Sequence, residues 1–397
     1  MKTPNKKIAV ITKYFHPVAA GIETNIMETY TVLVERGFEV NVYTTRGTLT
    51  DQNAFALGDE VIRGLVVKRY SAFRFFLALP IKWNEYDIMA LHNCNIMPHF
   101  LFMFRALLAQ TFGFKKYALI LTPHGGFNPE WSIFPRYQSW IKMFLQYTIG
   151  VFLINNATDG IRAVSEWEKE EMVKKGLRED KIAVIDNGIE DEAYEDVDAR
   201  ASETIKNKVA ELGEYIIQIG RIFPIKNYET TIKALPAAPP HLNFVIVGPV
   251  GDNAYLQELK DLAERIGVRE RVVFLGVVRG IDKYYLIKHA RMMVHMALWE
   301  SFCNVVHEGL SQGLVCIVAN NTALPLLVKD GVNGFCLPTK DHEALAKKIR
   351  FVEDNRDGPD LVAMRERNRA YGLENSWRKV AARMEGWYTK LMSEQTI

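Results

Sequence analysis

Residues 292–319 read MMVHMALWESFCNVVHEGLSQGLVCIVA and hold the pattern that decides the fold. Two short apolar runs, Met292–His295 and 315–319, lie on either side of a segment with helical spacing at 304–312. Short apolar runs that alternate with helical segments are typical of strands in a parallel sheet covered by helices. This stretch therefore predicts one strand–helix–strand unit of an α/β fold.

The same stretch holds two acids, Glu300 and Glu308. Eight positions on a continuous helix would separate them by about 80° and roughly 12 Å, too far to share a proton as a dyad. A helix that begins near Asn304 would place Glu300 in the entering loop, and a helix N-terminus favours anions. Two hydroxyl-accepting carboxylates beside an anion site suit an elongated ligand with a phosphate in its middle, such as a nucleotide-sugar.

The alternation of apolar runs and helical segments continues along the whole chain. Further strands are predicted at 7–11, 40–43, 87–91, 118–121, 182–185, 215–219, 243–247 and 272–275. Further helices are predicted at 22–35, 138–153, 166–175, 228–235, 255–264 and 377–391.

This order predicts two doubly wound α/β domains that face each other across a cleft, where such sheets bind ligands at their strand C-termini. The N-terminal domain is predicted at 1–190, joined by the C-terminal helix 376–397, and the C-terminal domain at 205–372. A polar, acidic stretch at 190–208 is the predicted linker. It contains Asp196 and Asp198, which no strand precedes and which are not predicted to bind a metal.

Composition excludes several classes of protein. A chain of 397 residues with 48% hydrophobic and 24% charged residues is globular and long for a single core. Its net charge of +2 argues against a dedicated nucleic-acid binder, so no nucleic-acid partner is expected. Neither a secretory signal nor a transmembrane helix is predicted. The four cysteines form no CxxC pair, which favours reduced thiols and a cytoplasmic protein.

Aromatic residues lie beside basic ones in two stretches of the first half, at 73–83 and 100–105, and again near Trp131, Phe134 and Trp140. This combination is typical of helices that lie in a membrane interface. Ordinary core helices with snorkelling basic ends would give the same pattern. Both interpretations remain open at this point.

Three loops that follow predicted strands carry further candidate ligand-binding residues. Arg221 and Lys226 follow the strand at 215–219 and could neutralise a diphosphate, although a solvated basic loop is the alternative. That loop lacks the ending of an ATPase P-loop. His124 precedes two glycines after the strand at 118–121, where it would approach a ligand or simply occupy a turn. Gly21 lies among small residues that would let backbone N–H groups approach a phosphate, but no GxGxxG motif supports a nicotinamide cofactor.

In their order and spacing, these motifs resemble those of the retaining glycosyltransferases of family 4, which have the GT-B fold. The most specific element is the E-x7-E pair Glu300 and Glu308, supported by Arg221 with Lys226 and by His124. Segments 186–189 and 331–335 add to the resemblance. The chain departs from the family at Ala20 and Cys303, where glycines are common, and at His92, which keeps half of a His-x-His signature and is expected to be structural.

The resemblance implies a role for each of these positions. Glu308 would accept hydrogen bonds from the ribose hydroxyls, and Glu300 would contact a hydroxyl of the donor sugar. Arg221 and Lys226 would neutralise the leaving diphosphate in place of a metal, so no metal or other cofactor is expected. His124 would face the transferred sugar. Backbone groups near the donor would come from Gly21, Phe302, Cys303, Asn304 and Val305.

The resemblance also implies an activity. A hexose-type sugar would move with retention from a UDP- or GDP-sugar to a sugar hydroxyl, in polysaccharide biosynthesis. From the aromatic and basic stretches at 73–83 and 100–105, rather than from the resemblance, we expect a peripheral contact of the N-terminal domain with the inner face of the cytoplasmic membrane and a lipid-linked glycan or glycolipid as acceptor; aromatics that fill the core and a soluble sugar acceptor are the alternative. Two other classes stay open: a GT-B hydrolase or epimerase of nucleotide-sugars, and a non-catalytic protein that binds sugar nucleotides.

Overall fold

The computed structural model describes residues 6–18, 21–48, 51–77, 79–94, 97–130 and 136–394. The chain divides into two compact units. The first unit consists of Met1–Gly188 together with Trp377–Ile397, and the second of Ile189–Ser376.

The first unit is built on a sheet whose strands run in the order β3-β4-β2-β1-β5-β6-β7-β8. Every described pair in it is parallel except β3 with β4. The strands are β1 Lys7–Ile11, β2 Glu39–Thr45, β3 Gly58–Ile62, β4 Leu65–Tyr70, β5 Ile88–His92, β6 Ala118–Thr122, β7 Gly160–Ala163 and β8 Ile182–Val184.

Helices cover both faces of this sheet because successive residues of each strand point to opposite sides. Ala9 and Ile11 of β1 face one hydrophobic cluster, whereas Ile8 and Val10 face the other. The first cluster includes side chains from the helices Met97–Thr111 and Val151–Ala157. The helices of the unit are Gly21–Glu35, Ala72–Leu77, Met97–Thr111, Arg136–Leu145, Val151–Ala157, Glu166–Lys174 and Trp377–Glu394, with a π-helical turn at Gln146–Gly150.

The predicted strands of the first half are present, but β3, β4 and β7 were missed. β3 and β4 form a hairpin whose turn residues, Arg63 and Gly64, both have positive φ, at 48° and 83°. β3 is largely exposed, so its sequence lacks an apolar run. β7 is short and contains Arg162, a fully buried cation that interrupts the apolar pattern.

The second unit is built on a parallel sheet in the order β11-β10-β9-β12-β13-β14. Its strands are β9 Tyr215–Ile219, β10 Asn243–Val247, β11 Val272–Gly276, β12 Met292–His295, β13 Cys316–Ala319 and β14 Gly334–Leu337. Its α-helices are Val197–Arg200, Glu203–Leu212, Tyr228–Ala234, Asn253–Arg265, Gly280–Lys288, Asn304–Ser311, Leu324–Leu327, His342–Asp354 and Pro359–Gly372.

The predicted linker at 190–208 is wrong, because this stretch folds within the second unit. It forms a 3-10 turn, Asp191–Tyr194, and two helices that pack beside Gly280–Lys288. Asp198 forms an ion pair with Lys288 at 2.5 Å and a hydrogen bond with Nε2 of His289 at 2.8 Å. Asp196 accepts a hydrogen bond from the backbone of Ala199 at 3.3 Å and caps its helix. The acids therefore have structural partners, which the charge pattern alone did not show.

The aromatic stretches of the first half are partly core and partly surface. Phe75, Trp83 and Phe102 are buried in the first hydrophobic cluster. Phe104 and Trp140, by contrast, are 53% and 75% exposed. Trp131 and Phe134 lie outside the described residues. Within the described ranges, no helix is both long enough and apolar enough to cross a lipid bilayer.

Candidate active site

Glu300 lies in the loop after β12, at the carboxyl end of the second sheet. Its neighbour Lys226 lies in the loop after β9, and β9 pairs with β12 at the centre of the sheet. The chain leaves these two strands toward opposite edges, and at such a switch point loops diverge and leave room for a ligand. Both loops follow short, fully buried strands, which the apolar runs in the sequence predict.

Glu300 is the centre of a buried polar cluster. Its Oε1 lies 2.5 Å from the Lys226 ammonium and 2.7 Å from Nε2 of His295. Its backbone N–H donates to the hydroxyl of Thr322 at 3.1 Å. Lys226 and His295 therefore hold the carboxylate, and Thr322 holds the backbone of Glu300, before any ligand arrives.

The charges of this cluster are well defined. Burial opposes ionisation of Glu300, but the charge of Lys226 and the hydrogen bond from His295 outweigh it and lower its pKa to about 2. Burial opposes charge on Lys226 too, yet Glu300 raises the pKa of that ammonium. Burial lowers the pKa of His295. At neutral pH the cluster thus contains an ion pair and a neutral imidazole that donates from Nε2.

Lys226 is positioned by residues that the sequence reasoning missed. Gln218, a polar residue inside the buried strand β9, donates to the Lys226 carbonyl at 2.8 Å. Asn227 has a left-handed backbone and donates to the Met296 carbonyl at 2.7 Å. A buried polar residue in an apolar strand is a signal that could have identified Gln218, and likewise His295.

Arg221 differs from Lys226 in its surroundings. Its guanidinium is exposed and lies 5.1 Å from the ring centroid of Phe223. The residue before it, Gly220, lies so close to Gly248 that a Cβ at Gly248 would collide with the Gly220 carbonyl. Gly248 also has a φ of 145°, which favours glycine, so this close approach fixes the backbone at the start of the Arg221 loop. The two predicted cations are therefore not equivalent, because Lys226 is already paired with Glu300.

Glu308 lies on the helix Asn304–Ser311 and has its own cationic partner. Lys283 is 3.1 Å from its Oε1, and the same ammonium is 2.8 Å from Oε2 of Glu190. Burial raises the pKa of Glu308 to about 7, with Lys283 lowering it and Glu190 raising it. Glu300 and Glu308 thus have separate partners, consistent with the prediction that they do not form a dyad.

The helix that carries Glu308 begins after Cys303, whose φ of 81° is left-handed. Phe302 and Cys303 are buried, whereas Asn304 and Val305 are half-buried. Burial raises the pKa of the Cys303 thiol well above its ordinary value, so it is protonated at neutral pH. The first N–H groups of a helix lack intrahelical acceptors and can bind an anion.

His124 lies in the first unit, in a left-handed conformation just after β6. Its Nε2 is 2.8 Å from Nδ1 of His92, whose Nε2 is 3.0 Å from the hydroxyl of Tyr30. That hydroxyl is 2.9 Å from the hydroxyl of Tyr388 on the C-terminal helix. Burial lowers the pKa of His124 to about 3, assisted by the charge of Arg162. His124 is therefore a neutral hydrogen-bonding group, and His92 is the residue that orients it.

Glu168 supports the loop after His124, a role that the sequence reasoning missed. Its carboxylate accepts hydrogen bonds from the backbone N–H of Gly125 and, at 2.8 Å, from that of Val164. Burial raises its pKa to about 7. Gly21 is exposed and begins the helix Gly21–Glu35, while Ala20 lies outside the described residues.

One group of side chains near Glu300 has the composition of a metal site. Donor atoms of His295, Glu300 and Cys303 lie within 4.8 Å of one another. However, the Lys226 ammonium already neutralises Glu300 and would repel a divalent cation. This cluster is charge-balanced without an added ion.

Comparison with known proteins gives matches along most of the chain. Residues 200–372 match the family Glycosyl transferases group 1, and residues 19–193 match Glycosyltransferase Family 4.

Two curated relatives and one solved structure illustrate the range of the matches. The D-inositol 3-phosphate glycosyltransferase of Corynebacterium glutamicum is 26% identical over 55% of this chain and 54% of its own. The GDP-mannose:cellobiosyl-diphosphopolyprenol alpha-mannosyltransferase of Xanthomonas campestris is 22% identical over 95% of both chains. The crystal structure of Anabaena HepE with UDP and glucose superposes with a TM-score of 0.76 at 18% identity, over 97% of this chain and 100% of that one.

Two α/β units, each built on a mainly parallel sheet, define the GT-B fold, and the two family matches make the chain a glycosyltransferase. The chain belongs to glycosyltransferase family 4 and carries the group 1 transferase domain at its C-terminal side.

Proposed function

We propose that the protein transfers a hexose-type sugar, with retention, from a UDP- or GDP-sugar to a sugar hydroxyl of a lipid-linked glycan or glycolipid. The observation that carries the proposal is the pair of carboxylates in the second unit, each buried and each paired with a different lysine. They offer two separate hydroxyl-accepting sites, as the sugar and ribose ends of a nucleotide-sugar require.

In the proposed reaction, the ionised Glu300 accepts from a hydroxyl of the donor sugar and Glu308 from the ribose. The bond between the anomeric carbon and the diphosphate oxygen breaks, and the acceptor oxygen bonds to that carbon on the same face. Its proton passes to the departing diphosphate, so no protein nucleophile is required, in contrast to the paired carboxylates of retaining hydrolases.

Electrostatic stabilisation of the leaving diphosphate is proposed to come from Arg221, Lys226 and the N–H groups that begin the helix Asn304–Ser311. This arrangement supports catalysis without a metal. For His124, whose pKa of about 3 keeps its ring neutral, we propose a hydrogen bond to the transferred sugar.

An apolar surface on the first unit supports the proposal that the acceptor lies at a membrane. Exposed apolar side chains come from the neighbouring segments Met97–Thr111 and Val151–Ala157 and from the helix Arg136–Leu145 between them in sequence. From these helices come Leu101, Phe104, Leu108, Trp140, Ile141, Phe144 and Phe152; with Phe112 and Phe114, which follow the first helix, and Ile149 of the π-helical turn, they are here called the apolar surface.

The charge of the same region suits an anionic leaflet. Between residues 97 and 157 the only acid in the sequence is Glu130, against the bases Arg105, Lys115, Lys116, Arg136 and Lys142. Of these, Lys115 is buried and paired with Asp159, so it does not face a membrane. Each basic residue near an anionic surface contributes about 1 kcal/mol. The Xanthomonas relative is named for an acceptor carried on a diphosphopolyprenol. We therefore propose peripheral binding at the cytoplasmic face of the membrane.

A transfer assay with matched acceptors tests the proposal. UDP- and GDP-sugars are each offered with a lipid-linked diphosphate sugar, with the same sugar in soluble form, and without acceptor. We expect product with one donor class and with the lipid-linked acceptor, with the anomeric configuration retained. Equal release of nucleoside diphosphate without any acceptor would instead identify a nucleotide-sugar hydrolase, and no turnover with any donor would favour a binding protein.

A further inference from the structure

Lys283 connects two buried acids in the second unit. It lies on the helix Gly280–Lys288, and its ammonium is 2.8 Å from Glu190 and 3.1 Å from Glu308. All three side chains are largely buried, with exposures of 13% for Lys283, 21% for Glu190 and 10% for Glu308. Two carboxylates therefore share a single cation, and the cluster is one positive charge short when both acids are ionised.

Glu190 and Glu308 differ in how many hydrogen bonds their carboxylate oxygens accept. Glu190 accepts a second hydrogen bond from the hydroxyl of Tyr284, at 3.1 Å. Glu308 Oε2 is buried and has no hydrogen-bond partner among the described residues. A buried acceptor without a donor is costly, and a ligand that brings hydroxyl groups removes that cost. Oε1 is held by Lys283, so Oε2 is the atom left for the ligand.

The groups that act on the charge of Glu308 come from three elements. Lys283 on the helix Gly280–Lys288 lowers the pKa of Glu308, and Glu190 at the start of the unit raises it. Burial raises the pKa values of Tyr284 and Cys303, and the negative charge of Glu308 raises them further. Both side chains are therefore protonated at neutral pH. Lys283 and Glu190 thus shift the pKa of Glu308 in opposite directions, and that pKa is about 7.

We infer that Lys283 is a positioning residue for the donor: it orients Glu308 so that Oε2 accepts from the ribose hydroxyls, while Glu190 competes for the same ammonium and sets the pH range in which the donor binds. This inference rests on the proposed function, because it takes Glu308 as the ribose contact. It assigns roles to Lys283 and Glu190, which lie outside the motif Glu300 to Glu308.

The sign of the pH dependence follows from the charges. An ionised carboxylate accepts from two hydroxyls, so donor affinity rises with pH as Glu308 loses its proton. Replacing Lys283 with methionine removes the cation that favours the ionised form, so the midpoint of this rise moves to higher pH. Replacing Glu190 with glutamine removes the competing negative charge, so the midpoint moves to lower pH. A merely structural role would weaken binding without moving the midpoint.

Titration calorimetry with UDP-glucose and GDP-mannose between pH 5.5 and 9 tests this, using whichever donor the wild-type protein binds. The diphosphate diester of a nucleotide-sugar keeps its charge throughout this range and its base begins to ionise only at the upper end, so a midpoint that differs between variants reports on the protein. We expect Lys283→Met to lower affinity at pH 6, below the wild-type midpoint, by about tenfold for each unit that its midpoint rises. Glu190→Gln is expected to bind at least as tightly as wild type at pH 6, and Lys283→Arg to keep a midpoint near that of wild type.

Two further outcomes separate this inference from the proposed function. If Glu308→Gln binds the donor as tightly as wild type, the ribose assignment fails and the donor site with it. If Glu308→Gln weakens binding but Lys283→Met and Glu190→Gln keep the wild-type midpoint, only the role of Lys283 and Glu190 is overturned. Because loss of a buried cation can prevent folding, Glu190→Gln, which removes no cation, supplies an independent result in the opposite direction.

Discussion

At the scale of single residues, Glu300 and Glu308 show how one sequence motif produces two electrostatic environments. Lys226 and His295 lower the pKa of Glu300 to about 2, whereas burial beside Glu190 raises that of Glu308 to about 7. The motif predicted two carboxylates too distant to share a proton. It did not predict their partners, since the lysines come from loops and helices far away in sequence.

The Glu300 ion pair predicts a change of stability with pH. A carboxyl with a folded-state pKa near 2 and an ordinary value of 4.5 stabilises the fold above about pH 4.5, and this contribution is lost as pH falls through about 2. Its full size is about 3 kcal/mol. We expect the free energy of unfolding to fall more steeply between pH 5 and 3 in wild type than in Glu300→Gln. Parallel curves from urea unfolding would contradict this.

A second residue-scale prediction concerns the donor. Glu308→Ala is expected to lose charge-assisted hydrogen bonds worth roughly 1.5–3 kcal/mol of donor binding. Glu300→Ala is expected to reduce sugar transfer more than nucleotide affinity, since it is assigned to the sugar. Calorimetry with the free nucleoside diphosphate separates the two variants, and equal losses in both would refute the assignment.

The role of Lys226 gives a third prediction. Lys226→Met is expected to lower turnover by about ten- to a thousandfold, through loss of about 1.4–4 kcal/mol of transition-state stabilisation. Wild-type activity is expected to survive EDTA, because Arg221 and Lys226 are proposed to act in place of a metal. Activity that EDTA abolishes and magnesium or manganese restores would overturn that proposal.

At the scale of elements, the helix Met97–Thr111 shows why the aromatic pattern alone was ambiguous. Phe102, Met103 and Ala106 face the sheet and are buried, whereas Leu101, Phe104 and Leu108 are exposed. Aromatic residues occur on both sides of this helix, so composition could not separate core from surface. Only the packing of the helix identifies the residues that are free to contact lipid.

Membrane binding is therefore predicted from the exposed members of the apolar surface. The double variant Phe104→Ser/Trp140→Ser is expected to lose most flotation with anionic liposomes while keeping its melting temperature. Phe351→Ser, at a 45% exposed position of the second unit, is the matched control. Wild-type protein that stays wholly in the soluble fraction at low salt would remove the membrane proposal. Phe75 is unsuitable for such a test because it is fully buried.

At the scale of the whole molecule, the C-terminal helix Trp377–Glu394 belongs to the first unit although it follows the second in sequence. It places Trp377, Val380, Met384 and Tyr388 in the same hydrophobic cluster as Tyr30 of the helix Gly21–Glu35. The hydroxyl of Tyr388 also completes the hydrogen-bonded chain that ends at His124. The last helix thus contributes both to the core of the first unit and to the orientation of a site residue.

This packing predicts the effect of a cavity in the last helix. Met384→Ala is expected to destabilise the protein by about 2–5 kcal/mol, because Met384 is fully buried. Lys390→Ala, on the exposed side of the same helix, is expected to change stability by less than about 0.5 kcal/mol. Denaturant unfolding that gives both variants the same free energy would show that the helix is not part of this core.

The sequence by itself determined the fold class, most of the strands, and the candidate acids, bases and glycines of the proposed donor site. These features depend on local patterns: short apolar runs, helical spacing, and polar residues that follow strand ends. The hairpin β3–β4 was missed because β3 is an exposed edge, and β7 because it contains the buried Arg162. The four-residue edge strand β14 was missed as well.

Only the tertiary structure decided which charges meet. Lys226 is paired with Glu300, Lys283 is shared by Glu190 and Glu308, and His92 orients His124. The supposed linker folds within the second unit, where Ala193 and Val197 pack against Tyr284 and Asp198 pairs with Lys288. Electrostatic interactions depend on distance and burial, and residues that are far apart in the chain acquire both only when the sheets assemble.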